Sequence, residues 1–148
     1  MNLDPFSPEL HFALGNALVL PCWLALAVST PSRRWTPALW RITSIAVPLL
    51  LALAYAMLLL VHRGPGGYGS LAEVRQLFDR PGLLAAGWLH DLAFDLFVGT
   101  WIARRAAAIG LHHAGVVPCL GLTFLFGLVG LLAFALLCRL RGLSLLKE

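Results

Sequence analysis

Residues Leu83–Arg105 read LLAAGWLHDLAFDLFVGTWIARR, an apolar stretch that carries His90, Asp91 and Asp95 near its middle. The stretch is about as long as the roughly 20 residues that a helix needs to cross a bilayer. An acid at mid-membrane costs about 2.5 to 3.5 kcal/mol on insertion scales, so we expect these acids to face neighbouring helices rather than lipid. At about 100° per residue, Asp91 and Asp95 share one stripe of the helix, and His90 begins a neighbouring stripe. The stretch therefore predicts a central helix whose polar groups are enclosed by the other apolar segments.

The composition indicates a membrane protein. Hydrophobic residues make up 59% of the 148 residues and charged residues only 12%, about half the charged share of a soluble domain. The net charge is +4, but its 11 Lys and Arg are spread among loops and helix ends. We therefore expect membrane lipids as partners of the basic residues, and no nucleic acid. We also expect no separate soluble catalytic domain in a chain of this length.

Four apolar segments predict an all-α membrane protein, a four-transmembrane-helix bundle that forms a single domain over residues 1–148. Segment length and hydropathy place the crossings at about residues 10–28, 40–62, 83–105 and 116–138. Pro21 and Pro48 lie inside the first two crossings and predict a bend in each helix. Asn16 either bonds to a neighbouring helix or faces an internal cavity.

A short amphipathic helix is predicted at about residues 70–79, between the second and third crossings. Ser70 followed by Glu73 is a capping-box pattern, which marks a helix start. Apolar residues then recur three and four positions apart, at Leu71, Val74, Leu77 and Phe78. A short helix with one apolar face is expected to lie flat at the membrane surface.

Small residues recur every four positions in the last predicted crossing, at Cys119, Thr123 and Gly127. Such a stripe lets another helix approach closely. The cysteines Cys22, Cys119 and Cys138 all lie in apolar segments and are expected to be reduced core residues. No metal site is predicted, because adjacent histidines such as His112 and His113 point to different sides of a helix.

The orientation in the membrane depends on how the basic residues divide between the two sides. For a chain with four crossings the division is five against six: Arg33, Arg34, Arg41, Arg104 and Arg105 against Arg63, Arg75, Arg80, Arg139, Arg141 and Lys147. This count decides little. The acidic flank before the first crossing, and the arginine pair after it, favour an orientation in which that crossing begins outside.

Two runs carry a resemblance to a known family: GSLAEVRQLFDRPGLLAAGWLHDLAFDLFVGTWIARR at Gly69–Arg105 and PCLGLTFLFGLVGLL at Pro118–Leu132. They resemble the abscisic-acid-deficient-like membrane proteins, small four-helix proteins whose plant members are tied to neoxanthin formation from violaxanthin. The residues that carry the resemblance are Leu77, Phe78, Trp88, His90, Ala93–Phe97, Trp101 and Pro118–Leu120. The chain departs from the family pattern at Asp91, where an aromatic residue is usual, at Arg105, where an acid often stands, and at Leu128, where proline is common.

The resemblance implies a carotenoid isomerase that needs no cofactor. Opening a xanthophyll epoxide to an allene requires an acid at the epoxide oxygen and a base at the adjoining polyene carbon. Asp95 and His90 match the family motif and are the expected catalytic residues, with a second carboxylate as another possible base. Side chains expected to contact a pigment are Trp88, Asp91, Trp101, Asn16 and Thr123.

Three other hypotheses stay open at the level of sequence. The polar residues can serve helix packing alone, and the bundle can bind a carotenoid, quinone or other isoprenoid without converting it, as a carrier or assembly factor. A proton or ion pathway is disfavoured because the chain has no internal repeat.

The expected location is a bacterial inner (cytoplasmic) membrane, and the oligomeric state stays open.

Overall fold

The computed structural model describes residue 4 and residues 6–144, and every regular element in that part of the chain is helical. The six helices are α1 (Pro8–Val28), α2 (Thr36–Val61), α3 (Leu71–Phe78), α4 (Pro81–Ala108), α5 (His113–Phe126) and α6 (Leu128–Leu140). Three of them, α1, α2 and α4, are long and apolar enough to cross a membrane. The prediction of an all-α fold is therefore confirmed for the described residues, and three of the four predicted crossings are helices that are able to span a membrane. The short helix between the second and third of them lies where it was predicted.

The second crossing is one helix with a wider π turn at Ile42–Ala46. Pro48 lies two residues after this turn and has no N–H to donate to the carbonyl of Ser44, so the backbone widens there rather than keeping regular α-helical bonds. The Thr43 hydroxyl lies in this turn and accepts a buried hydrogen bond of 2.7 Å from the Thr100 hydroxyl on α4. The π turn that precedes Pro48 thus carries a direct side-chain hydrogen bond between α2 and α4.

Helix α4 is the centre of the fold and runs parallel to α1 and antiparallel to α2. A Cβ atom on Gly15 of α1 would lie 2.5 Å from Leu89 of α4, so the glycine permits close approach of the two helices. At one end of the fold, the His62 ring at the end of α2 is 3.1 Å from the carbonyl oxygen of Phe6, just before α1. A Cβ atom on Gly82, at the start of α4, would collide with the same His62 ring. These contacts place the start of α1, the end of α2 and the start of α4 at one end, hereafter the α3 end.

The predicted fourth crossing at 116–138 does not form one helix, because the chain reverses at Gly127. The backbone of Gly127 has φ 52° and ψ −110°, a conformation that essentially only glycine adopts. At the start of α5, His113 is 2.9 Å from the carbonyl oxygen of Ala27, near the end of α1. Beyond α6, the carbonyl oxygen of Ser144 accepts a 3.1 Å hydrogen bond from Arg105, near the end of α4. Both open ends of this α5–α6 hairpin therefore lie at the end opposite α3, hereafter the hairpin end.

Small residues explain why α5 and α6 pack closely. A Cβ atom on Gly130 of α6 would collide with Thr123 and with the carbonyl oxygen of Cys119 on α5. The helix that approaches the predicted small-residue stripe is thus the second half of the same segment. On α6, the Phe134 ring meets Trp101 of α4 edge to face at 6.0 Å and holds the hairpin against the central helix.

Two side-chain hydrogen bonds, one accepted by Ser70 and one by Glu73, cap the start of helix α3. The Ser70 hydroxyl accepts a 3.3 Å hydrogen bond from the backbone N–H of Glu73. The Glu73 carboxylate accepts in turn from the N–H of Gly69, one residue earlier than in a standard capping box. Leu71 remains 86% exposed and Tyr68 85% exposed, so this end of the fold presents apolar side chains outward.

The hairpin predicts which side of the membrane each loop and the end of α6 occupy. In a chain whose three cysteines are replaced by alanine, Ser32→Cys and Ser144→Cys are expected to react with a membrane-impermeant maleimide from the same side of sealed vesicles. Gln76→Cys, on α3, is expected to react only from the other side. Four crossings would instead place Ser144 with Gln76, and that labelling pattern would contradict the hairpin.

The backbone conformation of Gly127 predicts that a substitution there destabilises the fold. Gly127→Ala is expected to lower the free energy of unfolding by roughly 1 to 3 kcal/mol, because alanine is strained in this conformation. The matched control is Gly121→Ala within α5, where a new Cβ meets nothing within 4 Å and helix propensity favours alanine. Thermal unfolding in detergent measures both, and equal melting temperatures for the two variants would contradict the assigned turn.

Candidate functional site

Asp95 lies at the middle of α4 and faces the tip of the α5–α6 hairpin. Its carboxyl oxygen is 2.8 Å from the position that a Cβ atom on Gly127 would occupy, so a side chain at the tip would displace the carboxyl group from this position. The Asp95 side chain is half-buried. Within residue 4 and residues 6–144, the structure gives it no hydrogen bond and no ion pair. A carboxyl group at the middle of the central helix is thus left able to bond to a molecule that enters beside the hairpin tip.

Asp91 lies one helical turn from Asp95 toward the α3 end and is exposed. The expectation that both acids are enclosed is therefore wrong for Asp91 in the single chain. The physical reason is the reversal at Gly127: the segment that was expected to cover the whole length of α4 covers only half of it. The stripe of Leu84, Trp88, Asp91 and Asp95, bounded by the tip at Gly127, is called the acid groove below.

The far part of the acid groove is an apolar cavity of about 340 Å³ between α1 and α4. Its lining residues are Pro8, Glu9, Phe12, Pro81, Leu84, Ala85 and Trp88. The Trp88 indole N–H donates a 3.3 Å hydrogen bond to the Asn16 side-chain oxygen, and its ring lies 5.4 Å from that of Phe12. Asn16 and Trp88 were both predicted to contact a ligand, and the structure joins them by this hydrogen bond, although of the two only Trp88 lines the cavity.

His90 points to a different side of α4 and is exposed, so the expected enclosure is wrong for this side chain as well. Five residues separate it from Asp95, which corresponds to about 140° around a helix, and its ring packs against Phe94 at 4.6 Å and Tyr55 at 5.7 Å. It lines a second cavity of about 320 Å³ under α3, together with Tyr55, Tyr68 and Phe78. The two residues predicted from the family resemblance as acid and base are therefore not brought together.

Two further predicted ligand contacts lie within the packing of the hairpin. Thr123 is fully buried and its hydroxyl donates to the Cys119 carbonyl oxygen at 2.8 Å. Trp101 is half-buried against Phe134. Neither side chain lines the cavity between α1 and α4. In the described part of the chain, no group of three or more His, Cys, Asp or Glu side chains is arranged to hold a metal ion.

The arrangement supports acid–base chemistry on a molecule dissolved in lipid. It offers two carboxyl groups four residues apart on one face, beside a largely apolar cavity between α1 and α4. Sequence reasoning missed the role of Gly127 as the boundary of this groove. Gly127 was predicted to belong to a small-residue stripe that contacts another helix. The spacing of such a stripe does not distinguish a glycine in a helix contact from a glycine at a chain reversal.

The comparisons with known proteins agree with the resemblance seen in the sequence. No curated protein and no solved structure matches the chain significantly. The sequence model of the ABA4-like family, described as ABA DEFICIENT 4-like, matches residues 10–134. That match covers most of the three crossings, the acid groove and the hairpin, so the chain belongs to the ABA4-like family.

Proposed function

We propose that the protein binds a carotenoid-type isoprenoid in the acid groove and isomerises an epoxide in its end group. The observation that carries this proposal is the Asp95 carboxyl, which lies at the middle of the central crossing without a hydrogen-bond partner in the described residues and faces a groove open to lipid. Ionisable groups at this depth are costly and usually serve a function. Membership of the ABA4-like family supports a role related to neoxanthin synthesis.

The shape of the groove supports an elongated ligand with an apolar chain. From Pro81 to Asp95 the groove follows roughly 21 Å of helix, at a rise of about 1.5 Å per residue. Most of its lining along the cavity is apolar, Glu9 lies at its outer end, and Asp91 and Asp95 lie at its inner end. A polyene chain placed along α4 thus has its oxygenated ring beside Asp91 and Asp95.

The proposed reaction is a redox-neutral isomerisation. Asp95, as a neutral carboxylic acid, gives its proton to the epoxide oxygen while the bond from that oxygen to the ring carbon next to the polyene breaks. A base removes a proton from the adjoining polyene carbon, and the electron pair of that C–H bond completes the allene. The oxygen remains as a hydroxyl group, and no atoms or electrons are gained or lost overall.

Asp91 is the base in this proposal, because it lies in the same groove one turn from Asp95. Proton transfer from Asp91 back to Asp95 then restores the starting state. His90 matches the family motif, but it lines the cavity on the other side of α4. For His90 to act as the base, the ring of the substrate has to lie in that second cavity instead.

Binding without conversion is the second candidate function. It is favoured by the separation of His90 from Asp95, since the two groups predicted to act together lie on different faces of α4. In that case the groove holds a pigment or another isoprenoid, and the protein acts as a carrier or an assembly factor. For either function we propose an integral membrane location, and for a bacterial host the cytoplasmic membrane.

Pigment analysis of a host that accumulates violaxanthin tests the isomerase proposal. Expression of the protein is expected to yield the allenic product, and Asp95→Asn is expected to reduce it by about 100-fold or more, because general acid catalysis commonly contributes that much. The matched control is Asp79→Asn, an exposed acid beside α3, which is expected to leave the product unchanged. Unchanged product in Asp95→Asn would contradict the assignment.

The identity of the base is tested in the same host. Asp91→Asn is expected to reduce the allenic product at least tenfold, while retaining bound violaxanthin in the purified protein. Loss of product in His90→Ala, with activity kept in Asp91→Asn, would instead assign the base to His90 and the substrate to the cavity under α3. Bound pigment without product from the unmodified protein would support the carrier function.

A further inference from the structure

The charged residues are distributed very unevenly between the two ends of the fold. In the described part of the chain, seven basic residues lie at the hairpin end and three at the α3 end. The seven are Arg33, Arg34, Arg41, Arg104, Arg105, Arg139 and Arg141, and the three are Arg63, Arg75 and Arg80. Four acids, Asp4, Glu9, Glu73 and Asp79, lie at the α3 end, whereas the described part of the hairpin end has none.

This distribution differs from the five-to-six division expected for four crossings. The difference comes from Arg139, in the last turn of α6, and Arg141, directly after it, which return with the hairpin to the end where Arg105 lies. Lys147, the remaining residue of the expected six, lies outside the described residues. Short segments rich in Lys and Arg remain on the cytoplasmic side of a membrane. The seven-to-three division therefore orients the fold with its hairpin end toward the cytoplasm and its α3 end away from it.

From this orientation we infer that the acid groove takes its ligand from the leaflet that faces away from the cytoplasm. The inference rests on the proposed function, since it concerns the ligand of the same groove. The hairpin occupies the cytoplasmic half of the Asp95 face of α4 and ends at Gly127. Only the other half of that face, from Leu84 to Asp91, is left uncovered by the hairpin, so a lipid-dissolved ligand enters there and places its polar end group at mid-membrane.

Side chains near α3 mark the surface of that leaflet. Tyr68 and Leu71 are among the most exposed side chains of the described chain. Tyr68 lies just before the amphipathic helix α3, and Leu71 is its first residue. Aromatic residues at such positions anchor a protein at the level of the lipid headgroups. The cavity lined by Pro81 and Leu84 begins at this level, so the groove extends from the headgroups to the middle of the bilayer.

The orientation is tested in spheroplasts that express cysteine-free variants carrying a single new cysteine. Gln76→Cys at the α3 end is expected to react with an impermeant maleimide at least tenfold more than Ser32→Cys at the hairpin end. After the membrane is dissolved in detergent, both are expected to react equally. Preferential reaction of the Ser32→Cys variant in intact spheroplasts would overturn the inference, even if the groove binds pigment as proposed.

The position of the ligand is tested by introducing tryptophan at lipid-facing sites of the two halves. Leu84→Trp fills the groove and is expected to reduce co-purified violaxanthin at least fivefold. The controls are Leu14→Trp, on α1 outside the groove, and Leu136→Trp, on α6 in the hairpin half, both at exposed leucines and both expected to retain pigment. Loss of pigment in Leu136→Trp alone would overturn the inference. Failure of the unmodified protein to bind violaxanthin would instead contradict the proposed function.

Discussion

The fold depends on how a chain places carboxyl groups at the middle of a membrane. Hydrocarbon offers no hydrogen bonds, so an acid there has to be covered by protein or bonded to a molecule that enters the site. Here the cover is partial: the hairpin reaches as far as Gly127, where the absence of a Cβ atom leaves room for the Asp95 carboxyl. Asp91, one turn further, lies beyond the hairpin. The boundary between covered and uncovered helix is what turns a packed bundle into a groove.

Much of the architecture could be predicted from the sequence, because length, hydropathy and local capping act over short distances. The three long crossings and the Ser70 cap of α3 follow from such local signals. The hairpin does not. Hydropathy measures how apolar a segment is and carries no information on its direction, so two helices of about half a crossing each resemble one complete crossing. The reversal depends on one residue, Gly127, and on contacts of Gly130 with Thr123 that join positions within the same apolar run.

The candidate site could be predicted to a similar degree. Helical spacing correctly placed Asp91 and Asp95 on one stripe with Trp88, and the Trp88 hydrogen bond to Asn16 joins two residues that were expected to contact a ligand. Spacing also put His90 on a neighbouring stripe, yet family resemblance combined it with Asp95. The angle between the two residues around α4 separates them, and Tyr55 packs against the His90 side. Which groups are covered depends on the hairpin, and for that reason enclosure of Asp91 was predicted wrongly.

The most direct measurement of the hairpin uses two of the protein's own cysteines. Cys119 on α5 and Cys138 on α6 are both buried and lie on the two facing helices of the hairpin. In one continuous helix they would be roughly 28 Å apart. With Cys22 replaced by alanine, a short lipid-soluble bis-maleimide in native membranes is predicted to join Cys119 and Cys138 within one chain, as read by mass spectrometry of the linked peptides. Modification of both thiols without any intramolecular link would contradict the hairpin, and with it the half-covered groove.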